Sequence, residues 1–126
     1  MLDFKGYLGW ENGLKEIMRR QHIAVVPSRS EGTPRVILEC MSQGVCMIAS
    51  NVGGIPSVVK DGYNGCLIQP GEAHQLREKI LMLAGDENLR RKLILRGFET
   101  SRSCTLEIFV GHFKKAIEAV SNEHKI

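Results

Sequence analysis

Long apolar runs are missing from this chain. None approaches the ~20 residues needed to cross a bilayer, so no membrane-spanning helix is predicted. The N-terminus lacks the charged, apolar and small-residue succession of a signal peptide. Blocks of five or six like charges are absent too. The 17 basic and 14 acidic residues leave a net charge of +3, too weak and too scattered to argue for nucleic acid. Cys40, Cys46, Cys66 and Cys104 show no C-x-x-C spacing, and three of them sit in or beside apolar segments. They read as reduced, mostly buried thiols of a cytoplasmic protein rather than a disulfide framework. No Asp-x-Asp occurs, and His22, His74, His112 and His124 form neither a motif nor a ligand-spaced pair, so nothing asks for a metal. G-x-G-x-x-G is absent, which argues against a nicotinamide or flavin, and no cofactor is expected. The sequence has no internal repeat, linker or low-complexity segment, and its 126 residues suffice for one domain with a modest core.

What is present centres on residues 27–44, PSRSEGTPRVILECMSQG. Ile23–Val26 is short, apolar and rich in β-branched residues, as befits a strand buried on both faces. Pro27 ends it, because proline cannot donate to a ladder. Thr33 is a candidate N-cap, and Pro34 suits the first helical position, where its missing N–H costs nothing. Val36, Ile37, Cys40 and Met41 make one apolar stripe at helical spacing, and Gly44 supplies the stop. A loop opening straight into a helix aims free amides and a positive dipole end outward, which suits phosphate. Glu31 stands at the mouth of that loop, and Glu39 lies on the helix, about 7 Å further along its axis. Carboxylates accept bidentate hydrogen bonds from a vicinal diol. Two of them flanking a phosphate-binding helix start suit a sugar, a diphosphate and a ribose in line. Glu39 and Arg35 are also spaced for an i,i+4 surface ion pair worth ~0.3–0.5 kcal/mol.

The remaining chain alternates strands and helices. Asp3-Phe4-Lys5-Gly6 reads as the tail of a strand, and Glu11–Arg20 as a helix weakened by Gly13. Cys46–Ser50 reads as a second buried strand and Cys66–Gln69 as a third. Between them, Asn51–Gly54 is a loop whose two glycines allow positive φ and close backbone approach, and Ile55–Lys60 is a short helix stopped by Asp61-Gly62. Helices follow over Glu72–Ala84, from an Asp86 cap to Arg96 before Gly97, and over Thr105–Val120, leaving 121–126 as a frayed tail. The last carries Ile108, Phe109, Phe113, Ile117 and Val120 as its stripe. Strands joined by such crossovers predict an α/β, Rossmann-like parallel sheet with flanking helices. Ligands bind beyond the carboxyl ends of such strands, where Ser28–Thr33 and Asn51–Gly54 both lie.

Glu31-x7-Glu39 within the central stretch, followed by MIASNVGGIPSVVKDGYNGCLIQPGE, resembles the donor-binding half of a retaining GT-B glycosyltransferase of the large group-1 family. The likeness runs from about Gly6 to the C-terminus, with several blocks in the family's order. It implies a single nucleotide-sugar-binding domain over 1–126 and a nucleotide-diphosphate sugar as donor. Glu31 would hydrogen-bond the sugar hydroxyls or orient donor and acceptor as the catalytic residue, and Glu39 would hold the ribose. Backbone groups at Tyr7 and Leu8 would contact the base, although Tyr7 reads equally well as a buried residue of a frayed terminus. Ser30, Gly32, Thr33, Pro34, Arg35 and Val36 would complete the nucleotide-sugar site, and Gly53 and Gly54 would lie near sugar and phosphates. The Ser30 and Thr33 hydroxyls suit phosphate, though Thr33 also serves as the cap, and Arg35 reads equally as a phosphate contact or as a solvated side chain. A non-catalytic nucleotide-sugar module completing a partner subunit is the alternative.

The sequence departs from the family pattern at Ser57, where a Glu is usual, at Val45, where Pro is usual, and at Cys40, where Ala is common. Ser57 removes a carboxylate near the donor loop. The resemblance further implies an N-terminal domain that binds a sugar or lipid-linked acceptor, and two more strands, neither of which this sequence holds. Ile23–Val26 is therefore expected to have an unpaired edge, open to homodimerisation. The chain alone is expected to be catalytically incomplete, with a cytoplasmic location that is peripheral at the inner membrane in a full-length context.

Overall fold

The computed structural model describes residues 3–32 and 35–124. Strands β1 (Ile23–Val26), β2 (Cys46–Ser50) and β3 (Cys66–Ile68) form a parallel sheet in the order β1-β2-β3. Ile23 stands beside Cys46 and Val26 beside Ala49, and Ile48 stands beside Cys66 and Ser50 beside Ile68. The helices are α1 (Leu14–Arg19), α2 (Arg35–Ser42), α3 (Ile55–Val58), α4 (Ala73–Gly85), α5 (Glu87–Ser103) and α6 (Leu106–His124).

The central strand β2 is buried at all five positions. Its side chains alternate between faces. Met47 and Ala49 pack with Met18, Ile37, Cys40, Met41, Ile55 and Val59 from α1, α2, α3 and the residue after it. Cys46 and Ile48 pack with Cys66, Ile68, Leu83 and Leu93 from β3, α4 and α5. Both faces of the sheet are thus covered, which explains why β2 reads as a continuous apolar run. The edge strand β1 is only half buried, contrary to the expected burial on both faces. It has β2 on one side and no further strand on the other among the described residues.

Several expected boundaries shift for identifiable reasons. Asp3–Gly6 forms no strand; residues 3–9 have no regular structure, and Phe4 and Tyr7 are 94% and 96% exposed. Gly13 does not merely weaken a helix. It adopts φ 105, closing a 3-10 turn over Trp10–Asn12 and opening α1 at Leu14. Asp86 caps α5 as expected, its carboxylate accepting from the Leu89 N–H at 2.9 Å. Gly97 does not end that helix. It lies buried within it, where a Cβ would come 3.2 Å from Met41 Cγ and 3.4 Å from the Asn64 carbonyl oxygen. The glycine lets α5 approach α2 and the 60–65 loop, and that contact offsets its ~1 kcal/mol helical penalty.

The last helix continues to His124, so residues 121–124 of the expected frayed tail are helical, while 125 and 126 lie outside the described residues. Of its apolar stripe, Phe113, Ile117 and Val120 are 58%, 53% and 49% exposed. The side chains of Ile108 and Phe109, expected in the same stripe, lie outside what the structure describes. Helical spacing identifies a face but not what covers it. No helix among the described residues is long and apolar enough to cross a membrane.

Candidate functional site

Parallel strands deliver their C-terminal loops to one edge. Here the loop after β1 and the loop after β2 touch backbone to backbone. The Gly54 N–H donates to the Gly32 carbonyl at 3.2 Å. Gly53 adopts φ 53, and a Cβ there would stand 1.8 Å from the Glu31 carbonyl oxygen. No side chain fits at that distance, so the contact requires glycine. Gly54 has φ −79, ordinary helical backbone, so only Gly53 uses the left-handed region. This junction brings Glu31, Gly32, Gly53 and Gly54 together.

Glu31 is half buried, and the Ser28 hydroxyl donates to its Oε1 at 2.5 Å. The bond engages one carboxylate oxygen and leaves lone pairs on the other. Ser28 was absent from the predicted site residues. The signal available in the sequence is its place three residues before Glu31 in a tight loop, where a hydroxyl reaches back across the turn.

Ile37, Cys40 and Met41 anchor α2 to the core. Val36, expected in the same stripe, is 39% exposed and faces outward. Thr33 and Pro34, expected as cap and first helical residue, lie outside the described residues. Arg35 and Glu39 do form the i,i+4 pair, at 3.9 Å, with the Arg35 side chain 85% exposed and that of Glu39 only 32% exposed. So long and solvated a pair is worth little, ~0.5 kcal/mol or less, and does not commit Glu39. Burial, aided by the Glu39 carboxylate, pushes the neighbouring Cys40 thiol up to about 11. It is therefore neutral and inert at physiological pH.

Other predicted residues stay apart. Ser30 is exposed, Tyr7 projects into solvent and Leu8 is half buried. No hydrogen bond or ion pair among the described residues joins Tyr7 or Leu8 to the Glu31 loop. An open cleft of about 220 Å³ lies at the same sheet edge, between Pro27 and Arg29 on one side and Ile68, Glu72 and the start of α4 on the other. Among the described residues, no three His, Cys, Asp or Glu side chains cluster as metal ligands.

A family model described as "Glycosyl transferases group 1" matches residues 1–100. The chain belongs to this family. An uncharacterized glycosyltransferase of Methanocaldococcus jannaschii is 41% identical over 105 residues, covering 83% of this chain and 30% of that protein. The chain thus spans under a third of that relative's length. Among solved structures, the C-terminal domain of the glycosyl transferase group 1 family protein LpcC from Francisella tularensis superposes with a TM-score of 0.72 at 29% identity. That match covers 79% of this chain and 51% of the other. Anabaena HepE, solved in complex with UDP, superposes with a TM-score of 0.72 at 25% identity over 85% of this chain and 29% of HepE. The fold of this group 1 glycosyltransferase chain is thus that of a GT-B C-terminal domain, Rossmann-like with three parallel strands.

Proposed function

We propose that residues 1–126 form one nucleotide-sugar-binding domain, the donor side of a retaining hexosyltransferase. The carrying observation is the Gly53–Glu31 junction, which fixes an acidic loop and a glycine loop together at the carboxyl edge of the sheet. Glu31, steadied by Ser28, takes the sugar hydroxyls and acts at the reacting centre. Glu39, loosely paired on α2, takes the ribose diol. The amides at the start of the helix, around Gly32–Val36, receive the diphosphate, with Ser30 and Arg35 at its rim and Tyr7 and Leu8 toward the base. In transfer, the bond from the anomeric carbon to the diphosphate breaks with its electron pair leaving on phosphate. The acceptor oxygen bonds on the same face, and its hydroxyl proton passes to the departing phosphate oxygen. The helix amides stabilise the developing negative charge without a metal or a glycosidase-type acid pair.

The acceptor, a sugar or a lipid-linked molecule, would be held by an N-terminal domain, in a cytoplasmic setting peripheral to the inner membrane. Assayed alone, the chain is expected to show little or no transfer. Titration of UDP and GDP by calorimetry tests the reading. UDP, the ligand of HepE, is expected to bind wild type weakly. Glu39→Ala should weaken it about 10–100-fold, the loss of charge-assisted hydrogen bonds worth ~1.5–3 kcal/mol. Equal heats in the two proteins, or none, would remove the assignment.

The open edge of β1 favours a second reading, a non-catalytic module that pairs there with a partner subunit or a second copy. Light scattering is expected to detect a dimer. A monomer whose Ile23–Val26 amides exchange slowly would refute the edge pairing.

A further inference from the structure

The 60–65 loop, between α3 and β3, is far more elaborately bonded than a connection needs. Asn64 is 3% exposed, and every polar group of its side chain is engaged. Its Oδ1 accepts from the Lys60 N–H at 2.7 Å, and its Nδ2 donates to the Val58 carbonyl at 2.9 Å and to Thr100 Oγ1 at 3.0 Å. The Thr100 hydroxyl in turn donates to the Arg96 carbonyl at 2.9 Å, which leaves its lone pair turned to Asn64. Glycines at 65 and 97 make the loop's approach possible. A Cβ on Gly65 would meet Val59 Cγ1 at 3.0 Å and the Met47 carbonyl at 3.1 Å, and one on Gly97 would meet the Asn64 carbonyl at 3.4 Å. One side chain therefore ties the C-terminal end of α3 to the long helix α5.

The other end of α3 is the junction described above. α3 is a single turn, Ile55–Val58, with no side-chain N-cap, and it starts from Gly54, whose N–H bonds to Gly32. A four-residue helix has no stability of its own and holds its place through its ends and its buried Ile55. Asn64 satisfies the Val58 carbonyl, one of the orphan acceptors at its end.

We propose that Asn64 is a positioning residue for the donor loops. Through Val58 and Thr100 it pins α3 to α5, and so keeps Gly53 and Gly54 against Glu31 and Gly32. The link to sugar-nucleotide binding rests on the function proposed above; the clamp itself does not.

Amide hydrogen exchange on the chain tests the clamp without any ligand. Asn64→Ala should speed exchange at Gly54, Ser57 and Val59 at least about tenfold, the scale of one or two lost buried hydrogen bonds. Ile48 and Ala49 in β2 should keep wild-type rates. Thr100→Val, which removes the tether to α5 together with the hydroxyl's own bond to the Arg96 carbonyl, should loosen the same amides by a smaller factor, and Thr100→Ser, which keeps a hydroxyl, should restore them. A rise at β2 equal to that at Gly54, or no rise at Gly54 in either Asn64→Ala or Thr100→Val, would overturn the proposal. If Asn64→Ala does not fold, the threonine pair decides. UDP titration of the same proteins separates the two questions. A wild type that ignores UDP defeats the functional reading and leaves the exchange result standing. Fast exchange with unchanged UDP affinity defeats the positioning role.

Discussion

Gly53→Ala is the sharpest perturbation of the site. At φ 53 an alanine has its Cβ crowded by its own carbonyl, a strain of about 1–2 kcal/mol. The new methyl would also stand 1.8 Å from the Glu31 carbonyl oxygen, where real contacts stay beyond 3.0 Å. The two loops must separate by at least 1.2 Å, the difference between those distances. That displacement breaks the Gly54–Gly32 hydrogen bond, a further ~1 kcal/mol. Gly71→Ala is the control: φ is 83, but nothing lies within 4 Å of the added Cβ. Strain alone predicts a fall in Tm of roughly 4–8 °C for the control, at about 4 °C per kcal/mol for a chain of this size. Gly53→Ala should fall by about 8–12 °C, about 4 °C further than the strain alone, and should weaken UDP binding while Gly71→Ala leaves it intact. Thermal melts and calorimetry of the two variants read both quantities. Equal Tm shifts, or unchanged UDP affinity in Gly53→Ala, would refute the argument that the Glu31 loop is set by this contact.

The cysteines give a pH prediction. Burial raises the thiols of Cys40 to about 11 and Cys46 to about 12, and also raises Cys66. A raised folded-state value means the folded chain holds the proton more tightly. That stability is complete below the unfolded value near 9.0 and is lost as pH climbs toward 11–12. Unfolding midpoints in urea should therefore fall between pH 9 and 11, and a flat midpoint would contradict the assignment. At pH 8, iodoacetamide should modify the exposed Cys104 and spare the other three until the chain is unfolded, as peptide mass mapping would read.

Sequence patterns were most informative where one physical cause dominates. Ile23–Val26 and Cys46–Ser50 are strands to the residue, because short β-branched or apolar runs ended by Pro27 and Asn51 leave little choice. The meeting of the two loops followed from parallel topology, since both leave strands at the same edge. Glycine was ambiguous. Gly13 takes positive φ and splits a helix, whereas Gly97 keeps helical backbone and serves packing. Composition carries no mark of which role applies, because the deciding atoms, Met41 and the Asn64 carbonyl, are distant in sequence. The half-burial of β1 and the exposure of Phe113, Ile117 and Val120 on α6 escaped for a related reason. Amphipathic patterns report a preferred face, and the neighbour that would cover it is a non-local fact. Ser28 escaped because hydroxyl partners in loops have no periodic signature.

The interior around β2 has a chemical consequence. Met18, Cys40, Met41, Cys46, Met47 and Cys66 put six sulfur atoms into the buried core. Thioethers and thiols fill irregular gaps well, and enclosure shields them from peroxide. Once the chain opens, each becomes oxidisable, and a single sulfoxide or sulfinate would carry polar oxygen into space shaped for carbon and sulfur. Heat inactivation in air should thus become irreversible sooner than under reductant, which makes this fold's durability a matter of redox conditions as much as of temperature.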